Sequence, residues 1–229
     1  MDPSPPTRRA PVTRERILRA AIALADQGGL DAISMRKIGQ ALGVEAMSLY
    51  KHVANKDEVL DGIADLVSAE MRVPDPAGDW KAEIRQSCIA AHEVLTRHPW
   101  ASTLIESRLN AGPNRLRYLD AVIATLRGAG FPLPIVARAF GLLDSHTYGF
   151  ALQEQAWAFD VADAPELAAA MVQTLPEDTY PNIVAMASIA FEDPAGMPID
   201  FEFGLDLILD GLERLLPADG PGNGPPALR

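Results

Sequence analysis

Four residues on one short stretch carry the clearest chemistry in this chain: Met47, Ser48, Tyr50 and Lys51. If Leu49 between them turns into a core, a helical advance of ~100° per residue turns these four outward. They then present a flexible apolar side chain, a hydroxyl, a phenol and an ammonium side by side. A DNA major groove offers thymine methyls, base acceptors and phosphates within one helix width, and such a surface suits it. Arg36 and Lys56 flank the stretch, where they can grip phosphates, and Arg8, Arg9, Arg14 and Arg16 form a basic cluster further out. The plainer alternative is a helical hairpin with a solvated basic face.

Other constellations fail on spacing. His92-Glu93 precedes His98, but the zinc-protease pattern sets its histidines four apart on one helix face, and these diverge by about 240°. The chain has no G-x-S-x-G elbow, no phosphate loop ending in G-K-S/T and no G-x-G-x-x-G. Cys88, the single cysteine, excludes an internal disulfide and a Cys-rich zinc site. No enzyme activity, cofactor or resident metal is therefore expected.

The elements that must position these residues are helices, giving an all-α fold class. Thr13 can cap a helix with Ile17, Ala21, Leu24 and Ala25 on one face, ended by Gly28-Gly29. Ser34 caps a short second helix that Gly43 breaks, and a third runs from about Glu45 to His52. Gly43-Val44 makes the sharp turn between them, and Ile38, Leu42, Val44, Leu49 and Val53 point inward to fix their angle. Asn55 caps a fourth helix, in which Val59, Ile63, Leu66, Val67 and Glu70 trace a stripe that Leu60, Ala64 and Met71 widen. So wide an apolar surface predicts more than one neighbour. Beyond the loop 73–79, helices are predicted near 80–98, 100–110, 114–128, 134–158, 165–174, 181–191 and 201–216. The organisation expected is a basic disordered tail over 1–12, a DNA-binding domain over 13–72, a larger helical body over 80–216 and a disordered tail over 217–229.

Composition fits that division. Of 229 residues, 48% are hydrophobic and 22% charged, ordinary for a globular protein and too apolar for a disordered one. No run approaches the ~18 apolar residues of a membrane span, and no apolar segment follows the N-terminus, so a cytoplasmic protein is expected. The net charge of −11 is unevenly spread: residues 1–60 carry +2 and the remainder −13. An acidic body repels nucleic acid, so DNA binding must be confined to the N-terminal quarter.

The run TRERILRAAIALADQGGLDAISMRKIGQALGV, followed by LYKHVANKDEVLDGIAD, resembles the DNA-binding domain of the TetR (tetracycline repressor) family of bacterial transcription regulators. The resemblance implies a homodimer that reads a palindromic DNA operator through the third helix, is released by a small-molecule inducer and contacts no membrane. By matching position it assigns DNA contacts to Arg36, Ala46, Met47, Ser48, Tyr50, Lys51, His52 and Lys56. Repression is likewise implied by the family. A helical small-molecule-binding protein without specific DNA binding is the alternative.

RHPWASTLIE and LLDSHTYGFALQEQ extend the resemblance, more weakly, to the body of the tetracycline-repressor subgroup itself. Leu205, Ile208, Leu209, Leu212, Leu215 and Leu216 form a broad apolar face, and Gly141 and Gly149 allow close helix approach; both faces could be buried within one monomer, and the resemblance implies instead a dimer formed by four helices. The ligand-facing residues expected are His98, Trp100, Glu106, Asn110, His146, Gln153 and Trp157, polar groups on or near one line of the 134–158 helix. The subgroup holds a metal-chelated drug through histidines, but the matching positions here are Arg72 and Ile105, neither of which coordinates a metal. Tetracycline–magnesium is therefore not expected as inducer.

Overall fold

The computed structural model describes residues 11–108, 112–156, 170, 173–174, 179–192 and 200–216, and only the backbone of 187–192. Residues 1–10 of the tail expected over 1–12, the tail expected at 217–229 and most of the helix expected at 165–174 lie outside the described residues, while Val12, within the first of these tails, packs against the core. The described residues form helices and their connections, with no strand among them.

Local capping chemistry explains where the first helices begin. In α1 (Arg14–Gly28), Thr13 Oγ1 accepts from Arg16 N, and Gly29 ends the helix with φ 67°. A single 3-10 turn, Leu30–Ala32, leads to α2 (Met35–Leu42), capped by Ser34 Oγ on Lys37 N. Gly43, at φ 68° and ψ 34°, takes the left-handed conformation that only glycine adopts cheaply. The third helix, α3, is shorter than expected: it spans Ala46–Leu49, with Tyr50 to His52 in a turn. His52 N and Val53 N both converge on Leu49 O, so the chain leaves the helix in time to place Asn55. Asn55 Oδ1 then accepts from Glu58 N, and Glu58 Oε2 accepts from Ala54 N, a reciprocal cap that starts α4 (Lys56–Ser68).

The body comprises α5 (Trp80–Arg97), α6 (Ala101–Ser107), α7 (Pro113–Gly128), α8 (Leu133–Ala156), α9 (Pro181–Glu192) and α10 (Phe201–Glu213). α4 packs on α1 on one side and on α6 and α7 on the other, so the wide apolar surface read from its sequence joins the two halves. Ile17, Leu18, Val59, Ile63 and Val67 are fully buried in that junction. α5, α7, α8 and α10 pack together as the core of the body. Arg85 reinforces it by pairing with both Asp206 and Glu202 of α10 at 2.6 Å, and Lys81 with Asp210 and Glu213 at 2.7 Å.

The apolar residues of α10 and of the turn after it divide differently from the single face expected. Leu205, Leu209 and Leu212 are buried against α5 and α8 within the monomer, and Ile208 and Leu216 are half-buried. Phe203, Leu207 and Leu215 point outward and are 64%, 58% and 53% exposed. α10 is apolar on two sides, so its leucine spacing cannot tell the inner stripe from the outer one.

Candidate nucleic-acid interface and the cavities behind it

α2 and α3 form a tight helix pair whose angle is fixed from below. Ile33, Ile38, Leu49 and Val53 are buried, and a Cβ at Gly39 would meet Val44 O at 2.8 Å, so only glycine allows this approach. The same anchoring turns Met47 outward at 75% exposure and Tyr50 at 46%. Lys51, His52 and Lys56 are also exposed, as is Arg36 on α2, whereas Ala46 and Ser48 are half-buried. Ser48 Oγ donates to Glu45 O at 2.7 Å, so its hydroxyl is engaged with the helix start. Six of the eight residues assigned to DNA by resemblance are therefore exposed, on α2, on α3 and the turn after it, and at the start of α4.

The cations around this edge differ from those of the body. Among the described residues, Arg36, Lys37, Lys51 and Lys56 enter no ion pair, while Arg14 pairs with Glu58 at 3.3 Å and Arg19 with Glu15 at 2.8 Å. The Ala54 N–H and Arg14 together hold the Glu58 carboxyl below its ordinary range. In the body, Arg72, Lys81, Arg85, Arg97, Arg108 and Arg115 all face carboxylates. Positive charge is thus available on the α2–α3 edge, whereas six of the ten described cations behind it face carboxylates.

Two cavities lie behind the interface. An outer one of about 200 Å³ sits between α4, α6 and α7, lined by Asp65, Ser68, Ile105, Glu106, Arg108 and Arg115. An inner one of about 20 Å³, room for about one water, lies between α5, α7 and α8, lined by residues including Cys88, Tyr118, Phe140, Asp144 and Tyr148. Arg115 Nη1 donates to Tyr148 Oη, and its Nη2 stands 3.8 Å from both Glu106 Oε1 and Asp144 Oδ1. Burial pushes the Asp144 carboxyl up to about 6, a rise that Arg115 opposes and Glu106 adds to. Burial likewise pushes the Cys88 thiol up to about 12 and raises the Tyr118 and Tyr148 phenols.

The seven residues expected to face a ligand are dispersed. Glu106 lines the outer cavity. His98 Nδ1 and Trp100 Nε1 both bond Asp26 Oδ1 of α1 at 2.7 Å, and His98 Nε2 is 3.6 Å from Glu70 Oε2. His146 stacks on Phe201 at 4.8 Å and bonds its carbonyl at 2.9 Å, beneath α10. Gln153 is exposed, and Asn110 and Trp157 lie outside the described residues. Of the metal-position residues, Arg72 pairs with Glu83 at 2.8 Å and Ile105 is buried at the outer cavity.

Sequence reasoning missed the polar residues that the cavities gather, Asp65, Arg115, Asp144 and Tyr148. α8 presents Asp144, Thr147 and Tyr148 to the inner cavity, on a different face from the Leu142–His146–Gln153 line. One signal was available: Asp57, Asp61 and Asp65 recur every four residues along α4, an acidic row on a helix that is otherwise mostly apolar after Glu58.

Comparison with known proteins agrees along the length of the chain. Residues 17–63 match the bacterial regulatory proteins of the tetR family, and residues 73–216 match the tetracyclin repressor-like C-terminal domain. An HTH-type transcriptional regulator of Saccharopolyspora erythraea is 37% identical over 147 residues, which span 64% of this chain and 62%, under two thirds, of the relative. The HTH-type transcriptional repressor DrrR1 of Streptomyces coeruleorubidus is 34% identical over 217 residues, covering 90% of this chain and 78% of that one. The crystal structure of apo ActR from Streptomyces coelicolor superposes with a TM-score of 0.75 at 31% identity, covering 90% of this chain and 97% of ActR. ActR has also been solved with (S)-DNPA and with actinorhodin.

Proposed function

Because this chain belongs to the TetR family of bacterial transcriptional regulators, we propose that it is a one-component repressor: a homodimer that binds a palindromic operator and releases it when a small molecule enters the body. The observation that carries the DNA reading is the rigidly mounted α2–α3 edge. Met47, Tyr50 and Lys51 stand exposed on it, while Ile38, Leu49 and Val53 lock it from beneath. Met47, Tyr50 and Lys51 contact bases and the near backbone, with Ala46 and Ser48 against the groove wall and His52 at its margin. Arg36 and Lys56 neutralise phosphates on either side. The two α3 segments of a dimer then reach half-sites about one helical turn, ~34–36 Å, apart.

The dimer forms through the outer faces of α8 and α10. Leu142, Leu152, Phe203, Leu207 and Leu215 are exposed there, and added Cβ atoms at Gly141, Gly149 and Gly211 would meet nothing within 4 Å. An apolar surface with room for close helix approach is what a four-helix seam requires.

The effector enters the cavities that meet at Arg115. Sites for molecules of drug size occupy ~300–1,000 Å³, so the outer cavity of about 200 Å³ must widen, and joining the inner one of about 20 Å³ is a first step in that widening rather than the whole of it. The ActR complexes with (S)-DNPA and actinorhodin support an organic effector of this kind. Metal-chelated tetracycline is not that effector, since Arg72 is committed to Glu83 and Ile105 offers no ligand atom. Effector binding tilts α4, which ties both halves together, and a coupling of ~1–3 kcal/mol suffices for a 5–150-fold loss of operator affinity. The protein acts in the cytoplasm and catalyses no reaction; no described helix is long and apolar enough to cross a membrane.

The test is a fluorescence-anisotropy titration of the dimer on duplex DNA from upstream of its own gene and on fragments selected from the genome, over a salt series. Saturable, salt-sensitive binding at least ~10³-fold tighter than to random DNA is expected. Binding no better than to random DNA in every fragment would replace this reading with that of a ligand-binding protein that does not recognise DNA.

A further inference from the structure

Arg115 is held at both ends, by different parts of the protein. Its main-chain N–H donates to Asp65 Oδ1 of α4 at 3.2 Å, beside Asn114 N at 2.8 Å, while Asn114 Nδ2 donates to Asp65 Oδ2 at 2.9 Å. α7 has no cap of its own, because Gly112 precedes it without a side chain and Pro113 fills the first position. Asp65 is therefore the cap, delivered from another helix, with its negative charge on the positive end of the α7 dipole. Glycine at 112 is what lets α4 come this near: a Cβ there would lie 2.3 Å from Asp65 Oδ1.

The other end of Arg115 closes the boundary between the two cavities. The residue is buried, its guanidinium bonds Tyr148 Oη, and it stands between Asp144 on the inner side and Glu106 on the outer. α4 and the turn after it have further ties to the body, among them Asp61 to Arg108 at 2.9 Å and Glu70 to Arg97 at 2.7 Å. Among the described residues, Asp65 alone on α4 bonds a residue whose side chain also bonds a residue of the inner cavity. Joining the cavities requires the guanidinium to leave Tyr148, and the rearranged residue remains fastened by its N–H to α4.

We infer that Asp65 is the positioning residue through which the Arg115–Tyr148 boundary sets the angle of α4, and with it the spacing of the two DNA-reading edges. This rests on the regulator reading above and assigns that regulation to one carboxylate.

A double-mutant cycle on operator affinity tests it, using the full-length dimer and a duplex selected by the wild type from a random pool. Arg115→Met frees the boundary and keeps the N–H that Asp65 accepts. The expected result is a change in operator Kd of ~5-fold or more on Arg115→Met in the wild type, and under ~2-fold in Asp65→Ala. Asp65→Asn, which keeps an oxygen for the two N–H groups, should restore most of the response. An Arg115→Met effect of equal size in both backgrounds, or none in the wild type, would overturn the inference, provided each variant melts cooperatively as a dimer. If Asp65→Ala does not fold, Gly112→Ala, which wedges Asp65 away, takes its place in the cycle with the same two outcomes. Failure of the wild type to select any duplex would overturn the regulator reading itself; independent effects on a selected duplex would overturn only the role of Asp65.

Discussion

His98 Nδ1 stands 2.7 Å from Asp26 Oδ1, a hydrogen bond that joins the end of α5 to the C-terminal half of α1. Trp100 Nε1 donates to the same oxygen at 2.7 Å, so one carboxylate of the DNA-binding half bonds one nitrogen on each of two buried rings of the body. Removing it leaves both donors without their acceptor. Asp26→Ala should therefore destabilise the protein by ~2–3 kcal/mol in urea unfolding, as loss of hydrogen bonds to a charged group does. A midpoint unchanged within error would mean that solvent satisfies both rings.

The DNA face makes two separable predictions. Lys56→Ala removes an unpaired cation beside α3 and should weaken binding to every duplex, lowering the slope of log K against log salt by about 1. Tyr50→Ala should cost ~1–3 kcal/mol of operator affinity, a 5–150-fold loss, with dimerisation unchanged. An unaltered salt slope would remove Lys56 from the phosphate contacts. Dissociation of the Tyr50→Ala dimer would make Tyr50 a structural residue.

How much of this was legible in the sequence follows from the range of the interactions. The caps at Thr13, Ser34 and Asn55 bond amides three residues on, and the left-handed turn needs only Gly43, so local chemistry revealed them. Ile38, Leu49 and Val53 were readable as a core because they lie within sixteen residues of one another, on or just after two short helices folded together by the turn at Gly43. The bonds of His98 and Trp100 to Asp26 could not be read, because that partner lies 72 and 74 residues away. Asp65 escaped notice for the same reason: it caps a helix that starts nearly fifty residues later. On α8, apolar residues occupy nearly every face, so periodicity could not choose the face that carries Asp144 and Tyr148.

Asp144 predicts a pH dependence. Its folded-state value of about 6 lies above the ordinary 3.8, so the folded protein binds this proton more tightly than the unfolded chain does. The resulting stability is fully present below pH ~4 and is lost as pH rises through about 6. Asp144→Asn should remove that loss and flatten the stability profile between pH 4 and 7. Because the side chain retains some solvent access, the difference should be on the order of 1–2 kcal/mol. Parallel wild-type and variant melting curves across this range would show that Asp144 titrates as a solvated carboxylate.

α10 allows the dimer to be separated from the fold. Leu205, Leu209 and Leu212 hold the helix to its own subunit, while Phe203, Leu207 and Leu215 face outward at similar spacing. A charge at Leu207 meets solvent in the monomer and apolar surface only in the dimer, so Leu207→Lys should leave the monomer folded and abolish association at micromolar concentration. Operator affinity should then fall by at least ~100-fold, because two half-sites are no longer bound as one unit. Leu209→Lys buries the same charge inside the subunit and should instead destabilise the fold by several kcal/mol, about 3 or more. Sedimentation equilibrium and urea unfolding distinguish the two. A Leu207→Lys protein that remains dimeric would move the seam away from this face of α10, whatever its effect on DNA.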